Sequence, residues 1–268
     1  MMNLLLRIRY YLIRTLFPKR LKNYSPIDKK GRELTFCEEF VGKSWNTPGA
    51  RWKVGGSHLY HPKRLQVWYG EPMLRDGKGV FFCKHNPRTL WAYHFQEYIT
   101  FPYETSRLTS LQKQKYGRFE CRMTLPKEPF SWSAFWLWGP PWPPEIDVIE
   151  TYGRKSGKDH RIMEINLHYG DRVNHKQMSP WRIKVDSPKN LSKRFYEFAL
   201  EWSPDRMDFF IDSVRVFSYT NKKILHKYFN QGMWIVVNNS IWDQIGENLE
   251  YYSEFEVDYV RAYTSIKK

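Results

Sequence analysis

Residues 116–126 alternate with a period of two. Phe119, Cys121, Met123 and Leu125 fall on one side, and Arg118, Glu120, Arg122 and Thr124 on the other. That spacing predicts a half-buried β-strand and excludes a helix, whose faces repeat every three to four residues. The same period returns along the chain. Trp132, Ala134, Trp136 and Trp138 oppose Ser131, Ser133, Phe135 and Leu137, while Glu164, Asn166 and His168 oppose Met163, Ile165 and Leu167. Tyr196, Phe198, Leu200 and Trp202 alternate with Glu197 and Glu201, and residues 234–238 and 255–263 read as further strands. Turn formers punctuate these runs: Gly55-Gly56, Asp76-Gly77-Lys78-Gly79, Ser203-Pro204-Asp205-Arg206 and the hairpin turn Asp212-Ser213. Residues 45–52 and 239–247 read as loops, and residues 57–100 only as strands and loops without clean alternation. Many short strands with almost no helical periodicity predict an all-β, antiparallel sandwich.

One strand carries an unusual load. Glu145-Ile146-Asp147-Val148-Ile149-Glu150 sets three carboxylates among β-branched residues, directly after Pro143-Pro144. An unpaired buried charge is costly, so such groups belong in a cleft or at the surface. A regular strand points Glu145 and Asp147 to one side and Glu150 to the other. One extra residue, taken up as a bulge between Asp147 and Glu150, returns Glu150 to the first side. Paired carboxyls about 5–5.5 Å apart are what a retaining glycosidase needs, one as nucleophile and one as proton donor.

The motif Glu-Ile-Asp-Val-Ile-Glu resembles the catalytic signature of glycoside hydrolase family 16 in its bulged form, that of laminarinases, agarases and carrageenases. The regular-strand form of the lichenases has one residue fewer. Residues 116–122, 132–138, 197–202 and 255–263 resemble the flanking strands of that family in the same order, as do 34–40 and 107–110. The likeness covers roughly residues 34–264. It implies a concanavalin A-like β-jelly-roll whose two antiparallel sheets leave a concave substrate groove. It also implies Glu145 as nucleophile, Glu150 as acid/base and Asp147 as the group that tunes them. Trp132 and Trp136 become the expected cleft residues, with Trp138 sharing their face. Asn166, His168 and the loop residue Trp242 complete the expected substrate contacts. No cofactor is needed for the chemistry. Members of the family often hold a structural calcium on the convex side, and Glu39 and Asp258 stand at roughly those places.

Charge and cysteine usage narrow the partners. The chain carries 43 Lys and Arg against 28 Asp and Glu, a net charge of +15. Such a balance fits an anionic polysaccharide, a nucleic acid or a solvated basic surface. No helix-turn-helix, zinc-finger spacing or RNA-binding motif accompanies it, so nucleic acid is not expected. Cys37, Cys83 and Cys121 permit at most one intramolecular disulfide, and none has metal-ligand spacing. Cys121 reads as a buried free thiol. The 12 Trp divide between core and sugar platforms, since the flat indole suits both.

Residues 1–30 read as a basic and apolar extension, and residues 31–268 as a single domain. Arg7, Arg9 and Arg14 interrupt the apolar run, and no small-residue cleavage site follows, so no signal peptide is evident. The run is too short and too charged to span a bilayer. Arg9 projects opposite Arg7 and Arg14, which spoils the polar face of a surface-lying helix and weighs against membrane contact. Cytoplasmic, phage- or virus-associated and non-classically exported settings all stay open. The reading is a monomeric endo-acting retaining hydrolase of a β-linked polysaccharide, neutral or anionic. Its alternatives are a transglycosylase using the same residues and a catalytically silent, lectin-like glycan-binding module.

Overall fold

The computed structural model describes residues 31–41, 51–55, 57–60, 66–93, 95–153, 162–171, 176–177, 183–186, 191–242 and 250–264. The N-terminal extension, the loop at 45–50, the basic loop 154–160 and residues 243–247 of the expected Trp242 loop lie outside them.

The first strands are β1 (Leu34–Glu38), β2 (Trp52–Val54), β3 (Ser57–Tyr60), β4 (Gln66–Gly70) and β5 (Met73–Arg75). Two long strands follow, β6 (Lys78–Ala92) and β7 (Glu97–Ser110), then β8 (Gly117–Met123), β9 (Trp132–Trp138), β10 (Glu145–Tyr152) and β11 (Ile162–Tyr169). The rest are β12 (Lys176–Gln177), β13 (Ile183–Asp186), β14 (Tyr196–Ser203), β15 (Arg206–Ile211), β16 (Val214–Tyr219), β17 (Trp234–Asn238) and β18 (Tyr252–Tyr263). Helix α1 (Lys222–Tyr228) joins β16 to β17 and is N-capped by the Asn221 side chain.

The strands form two sheets. The front sheet runs β2–β7–β17–β9–β10–β11, with β12 and β13 sharing the far edge of β11. The back sheet runs β16–β15–β14–β8–β18–β6–β7–β4–β3, with β1 on β18 and β5 on β6. Strand β7 belongs to both: residues up to Ser106 pair with β6 and β4, and residues 107–110 pair with β17 and β2. Among the described strands, only the β4–β7 pairing is parallel.

One apolar cluster joins the sheets. Phe135, Leu137, Ile146, Ile149, Ile165, Leu167, Ile235 and Val237 of the front sheet meet Phe119, Cys121, Met123, Phe198 and Leu200 of the back sheet. Each large side chain so buried contributes about 1.5–3 kcal/mol. The alternation in β9 follows directly: Phe135 and Leu137 go inward, and the Trp residues take the opposite, front face. A second cluster of Val67, Tyr69, Cys83, Tyr103, Ile241 and Tyr251 packs against Phe130 and Trp132 at the end of β9.

The two-residue loops Asp76-Gly77 and Asp212-Ser213 join Arg75 to Lys78 and Ile211 to Val214. All four loop residues have positive φ, between 48° and 69°. That is the turn geometry whose twist matches a hairpin, and both turns stand where the sequence placed them. All three cysteines are free, and burial pushes the Cys121 thiol well up.

Two expectations need correction. Strand β8 is buried along its whole length, on both faces. Its polar face survives burial because Arg118 meets Glu120, Glu197 at 2.8 Å and Glu201 at 3.3 Å, while Arg122 meets Asp258. Residues 78–110, poorly patterned in sequence, form a single long hairpin whose Pro87 lies within an irregular stretch of register between His85 and Arg88.

Candidate active site

The register of β9, β10 and β11 assembles the carboxylates. Glu145 stands between Trp138 and His168, Asp147 between Trp136 and Asn166, and Glu150 between Ala134 and Glu164. Ile146 pairs with Leu137 and Ile149 with Phe135, so both isoleucines enter the core. The β9 register steps from Asp147–Trp136 to Ile149–Phe135, which leaves Val148 as the extra residue of a bulge. Glu145, Asp147 and Glu150 therefore share the front face. Asp147 and Glu150 are 2% and 6% exposed, so neither can be an ordinary surface charge.

Each carboxylate has a specific neighbour. Trp142 donates its indole N–H to Glu145 Oε2 at 2.8 Å. His168 Nε2 lies 3.4 Å from Glu145 Oε1 and 3.3 Å from Asp147 Oδ2. Trp132 donates its indole N–H to Glu150 Oε1 at 3.0 Å. Burial, followed by the neighbouring Asp147, pushes the Glu145 carboxyl well above its ordinary value; His168 and the Trp142 hydrogen bond oppose the rise. Asn166 Nδ2 lies 3.0 Å from His168 Nε2, and the Asn166 carbonyl accepts from the Leu167 backbone N–H. Asn166 is 1% exposed and offers little surface to a ligand.

The aromatic residues differ in what they present. Trp132 lies near-parallel to Tyr152 at 5.7 Å and edge-on to Trp242 at 5.6 Å, which fixes the ring that serves Glu150. Trp242 itself packs on Tyr152 at 4.3 Å. Trp136 donates its N–H to Asn238 Oδ1 at 2.7 Å, and the Arg107 guanidinium sits 5.4 Å from its ring centre. Trp138 packs against Trp234, centroids 4.7 Å apart.

Trp142, Asn238, Arg107 and Glu164 are the neighbours that sequence reasoning passed over. Trp142 had a signal: a lone Trp in the Pro140-Pro141-Trp142-Pro143-Pro144 turn, three residues before Glu145. The others reach the site only through strand pairing.

Metal binding was tested against the residues present. Glu39 accepts two hydrogen bonds from Arg261, at 2.7 and 2.9 Å, and Asp258 accepts from Arg122. Calcium takes six to eight oxygen ligands. Here each expected carboxylate already faces a guanidinium, so Glu39 and Asp258 do not fit that role. Among the described residues, Glu145, Asp147 and His168 form the one group of three donors close enough to share a cation, within 4.8 Å. They are the same groups that the carboxylate chemistry would use.

Comparison with known proteins gives the same picture. The family model for glycosyl hydrolases family 16 matches residues 73–261. The chain is 25% identical over 171 residues to the endo-1,3-1,4-beta-glycanase EglC of Rhizobium meliloti (strain 1021), a match covering 61% of this chain and 34% of that protein. It therefore spans about a third of the length of that relative. It is 26% identical over 259 residues to a beta-glucanase of Rhodothermus marinus, covering 86% and 85% of the two chains. The fold is also like that of the catalytic domain of an endo-1,3-beta-glucanase (laminarinase) from Thermotoga petrophila RKU-1. That likeness has a TM-score of 0.70 at 18% identity, over 88% of this chain and 99% of the other.

Proposed function

The chain belongs to glycosyl hydrolases family 16, and from that membership we propose that it hydrolyses internal β-linkages of a polysaccharide, a β-glucan or a galactan, with retention of configuration. The observation that carries the reading is the bulge at Val148, which sets Glu145, Asp147 and Glu150 on one face beside His168 and the indoles of Trp132 and Trp142.

In the first step Glu145 attacks the anomeric carbon while Glu150 gives its proton to the departing oxygen, leaving a glycosyl ester on Glu145. In the second, Glu150 takes a proton from water as that water displaces the ester. Glu145 must be ionised to attack, although burial favours its protonated form. The Trp142 N–H and the His168 ring favour the carboxylate and so oppose that penalty. Asp147, between the two glutamates along the strand and 3.3 Å from His168, adds to the rise of the Glu145 carboxyl. The Trp132 N–H fixes one Glu150 oxygen, which holds the carboxyl in place for proton transfer.

The test is reducing-end release from a panel of neutral and charged polysaccharides by the wild type and by Glu145→Gln, with the anomer of the first product read by NMR. Release of the β-anomer, lost in the variant, is the expected result. Silence on every polymer, with Glu145→Gln binding a glycan as tightly as wild type, would replace this reading with a glycan-binding module. Transfer to an added oligosaccharide in preference to water would identify a transglycosylase.

A further inference from the structure

Among the described residues, the front face divides by charge. The segments 51–55, 107–116 and 231–242 build β2, the end of β7, β17 and their connections. They contain no Asp or Glu, and they bring Lys53, Arg107 and Lys113 to the front-face rows, the last two beside Trp136 and Trp234. The other half, β10 and β11, presents Glu145, Asp147, Glu150 and Glu164. A substrate crossing from the carboxylates toward β2 thus leaves a field that repels anions for one that attracts them.

Specific side chains make that cationic half more than a solvated surface. Trp234 and Trp138 continue outward from Glu145 across adjacent strands, in one row with His168. Their rings pack at 4.7 Å with planes 48° apart, and both are only partly buried. Lys113 Nζ stands 4.6 Å from the Trp234 ring centre. The buried Trp138 indole N–H has no hydrogen-bond acceptor among the described residues. Lys53 is exposed and sits opposite Thr109, in the row that continues to Val236, Trp136 and Asp147. The arrangement offers apolar ring faces and two exposed ammonium groups. An ammonium group can donate to any sugar hydroxyl, but only an anionic substituent adds an ion pair to that contact.

We infer that the β2–β7–β17 half of the front face binds a glycosyl unit bearing an anionic substituent, a sulfate ester or a carboxylate. Trp138 and Trp234 lie against the sugar, and Lys113 and Lys53 meet the charge. This inference rests on the glycoside hydrolase reading for its ligand class and adds the substituent.

The experiment is affinity electrophoresis of the full chain carrying Glu145→Gln, in gels containing laminarin, sulfated laminarin or carboxymethyl-curdlan. These share a β-1,3-glucan backbone and differ in charge, and the two charged polymers separate sulfate from carboxylate. Adding Lys53→Ala and Lys113→Ala should raise the dissociation constant about tenfold for at least one charged polymer, or 1.4 kcal/mol. Laminarin should change less than about twofold. Because the whole chain is basic, a control pair, Lys193→Ala with Lys223→Ala, removes equal charge from exposed positions elsewhere. Equal losses in the two pairs, unchanged retention in the first, or no retention by any of the three polymers would each overturn the inference. Trp234→Ala should weaken all three, since stacking ignores the substituent. Wild-type turnover on the same polymers judges the hydrolase reading separately: lysine-dependent retention without turnover would keep the anionic ligand and remove the chemistry.

Discussion

His168 stands opposite Glu145 on the neighbouring strand, with its Nε2 3.4 Å from a Glu145 oxygen and almost equally close to Asp147. The ring is placed to offset the repulsion between the two carboxylates, and it lowers the Glu145 pKa against burial. Removing it leaves burial and Asp147 unopposed on that side. His168→Gln should therefore move the acid limb of the kcat/KM profile to higher pH and leave the fold intact. A profile whose acid limb stays put would show that His168 does not tune the nucleophile.

The two glutamates should separate by leaving group. In the proposed mechanism Glu150 only transfers protons, which typically contributes about 10²–10⁴-fold. Glu150→Gln should lose about that much on a polysaccharide, and far less on a dinitrophenyl β-glycoside, whose oxygen departs unprotonated. Glu145→Gln should lose turnover of both substrates. Equal sensitivity of the two variants to the leaving group would reverse or remove these roles.

Stability should show the same carboxylate from the other side. The folded Glu145 pKa is raised, chiefly by burial, above its ordinary 4.5. Between 4.5 and that raised value the folded state binds more protons than the unfolded chain, so stability is lost as pH rises through it. Glutamine cannot ionise and escapes the loss. Thermal melts should place Glu145→Gln above wild type at pH 7, with the gain vanishing below pH 4.5. A variant less stable than wild type at neutral pH would contradict the assigned shift.

What could be read without coordinates follows from locality. The alternation of β8, β9 and β11 and the turns Asp76-Gly77 and Asp212-Ser213 are set by neighbouring residues, so the pattern shows them. The bulge was legible because a regular strand cannot place Glu145, Asp147 and Glu150 on one side. What depended on strand order was not legible. Glu39 and Asp258 look like cation ligands until β1, β8 and β18 pair and bring Arg261 and Arg122 onto them. Arg107 reaches Trp136 only because β17 separates their strands by one step. Burial of the β8 polar face likewise needed partners that lie about eighty and more residues away.

That buried network should be fragile to a neutral replacement at its centre. Arg118 is 6% exposed and serves Glu120, Glu197 and Glu201, while Tyr259 donates to the other Glu197 oxygen at 2.8 Å. Arg118→Met leaves Glu120 and Glu197 without that cation, although Glu201 keeps Arg32 at 3.2 Å; breaking a buried pair in this way typically costs about 3–5 kcal/mol. Chemical denaturation should show a loss of that size, partly recovered by Glu197→Gln on the same background. A loss under about 1 kcal/mol would mean that the pairs behave like exposed ones.

The bulge itself offers a test of how the site is built. Deleting Val148 would leave Asp147 opposite Trp136, Ile149 opposite Phe135 and Glu150 opposite Ala134, the pairings already present. The intervening step would become regular, and Glu145, Asp147 and Glu150 would still share a face, because alternation over five residues puts the first, third and fifth together. Ile146 and Ile149 would stay inside. The direct cost is the burial of one valine that is now 2% exposed, about 1.5–3 kcal/mol. The shortened strand should therefore fold with that modest loss and keep the Trp132–Glu150 contact, visible as an unchanged Trp132 indole N–H resonance assigned by Trp132→Phe. Collapse of the fold on deletion would show that β10 requires the bulge for packing. Survival would show that its effect lies in the spacing and aim of Glu150 relative to Glu145.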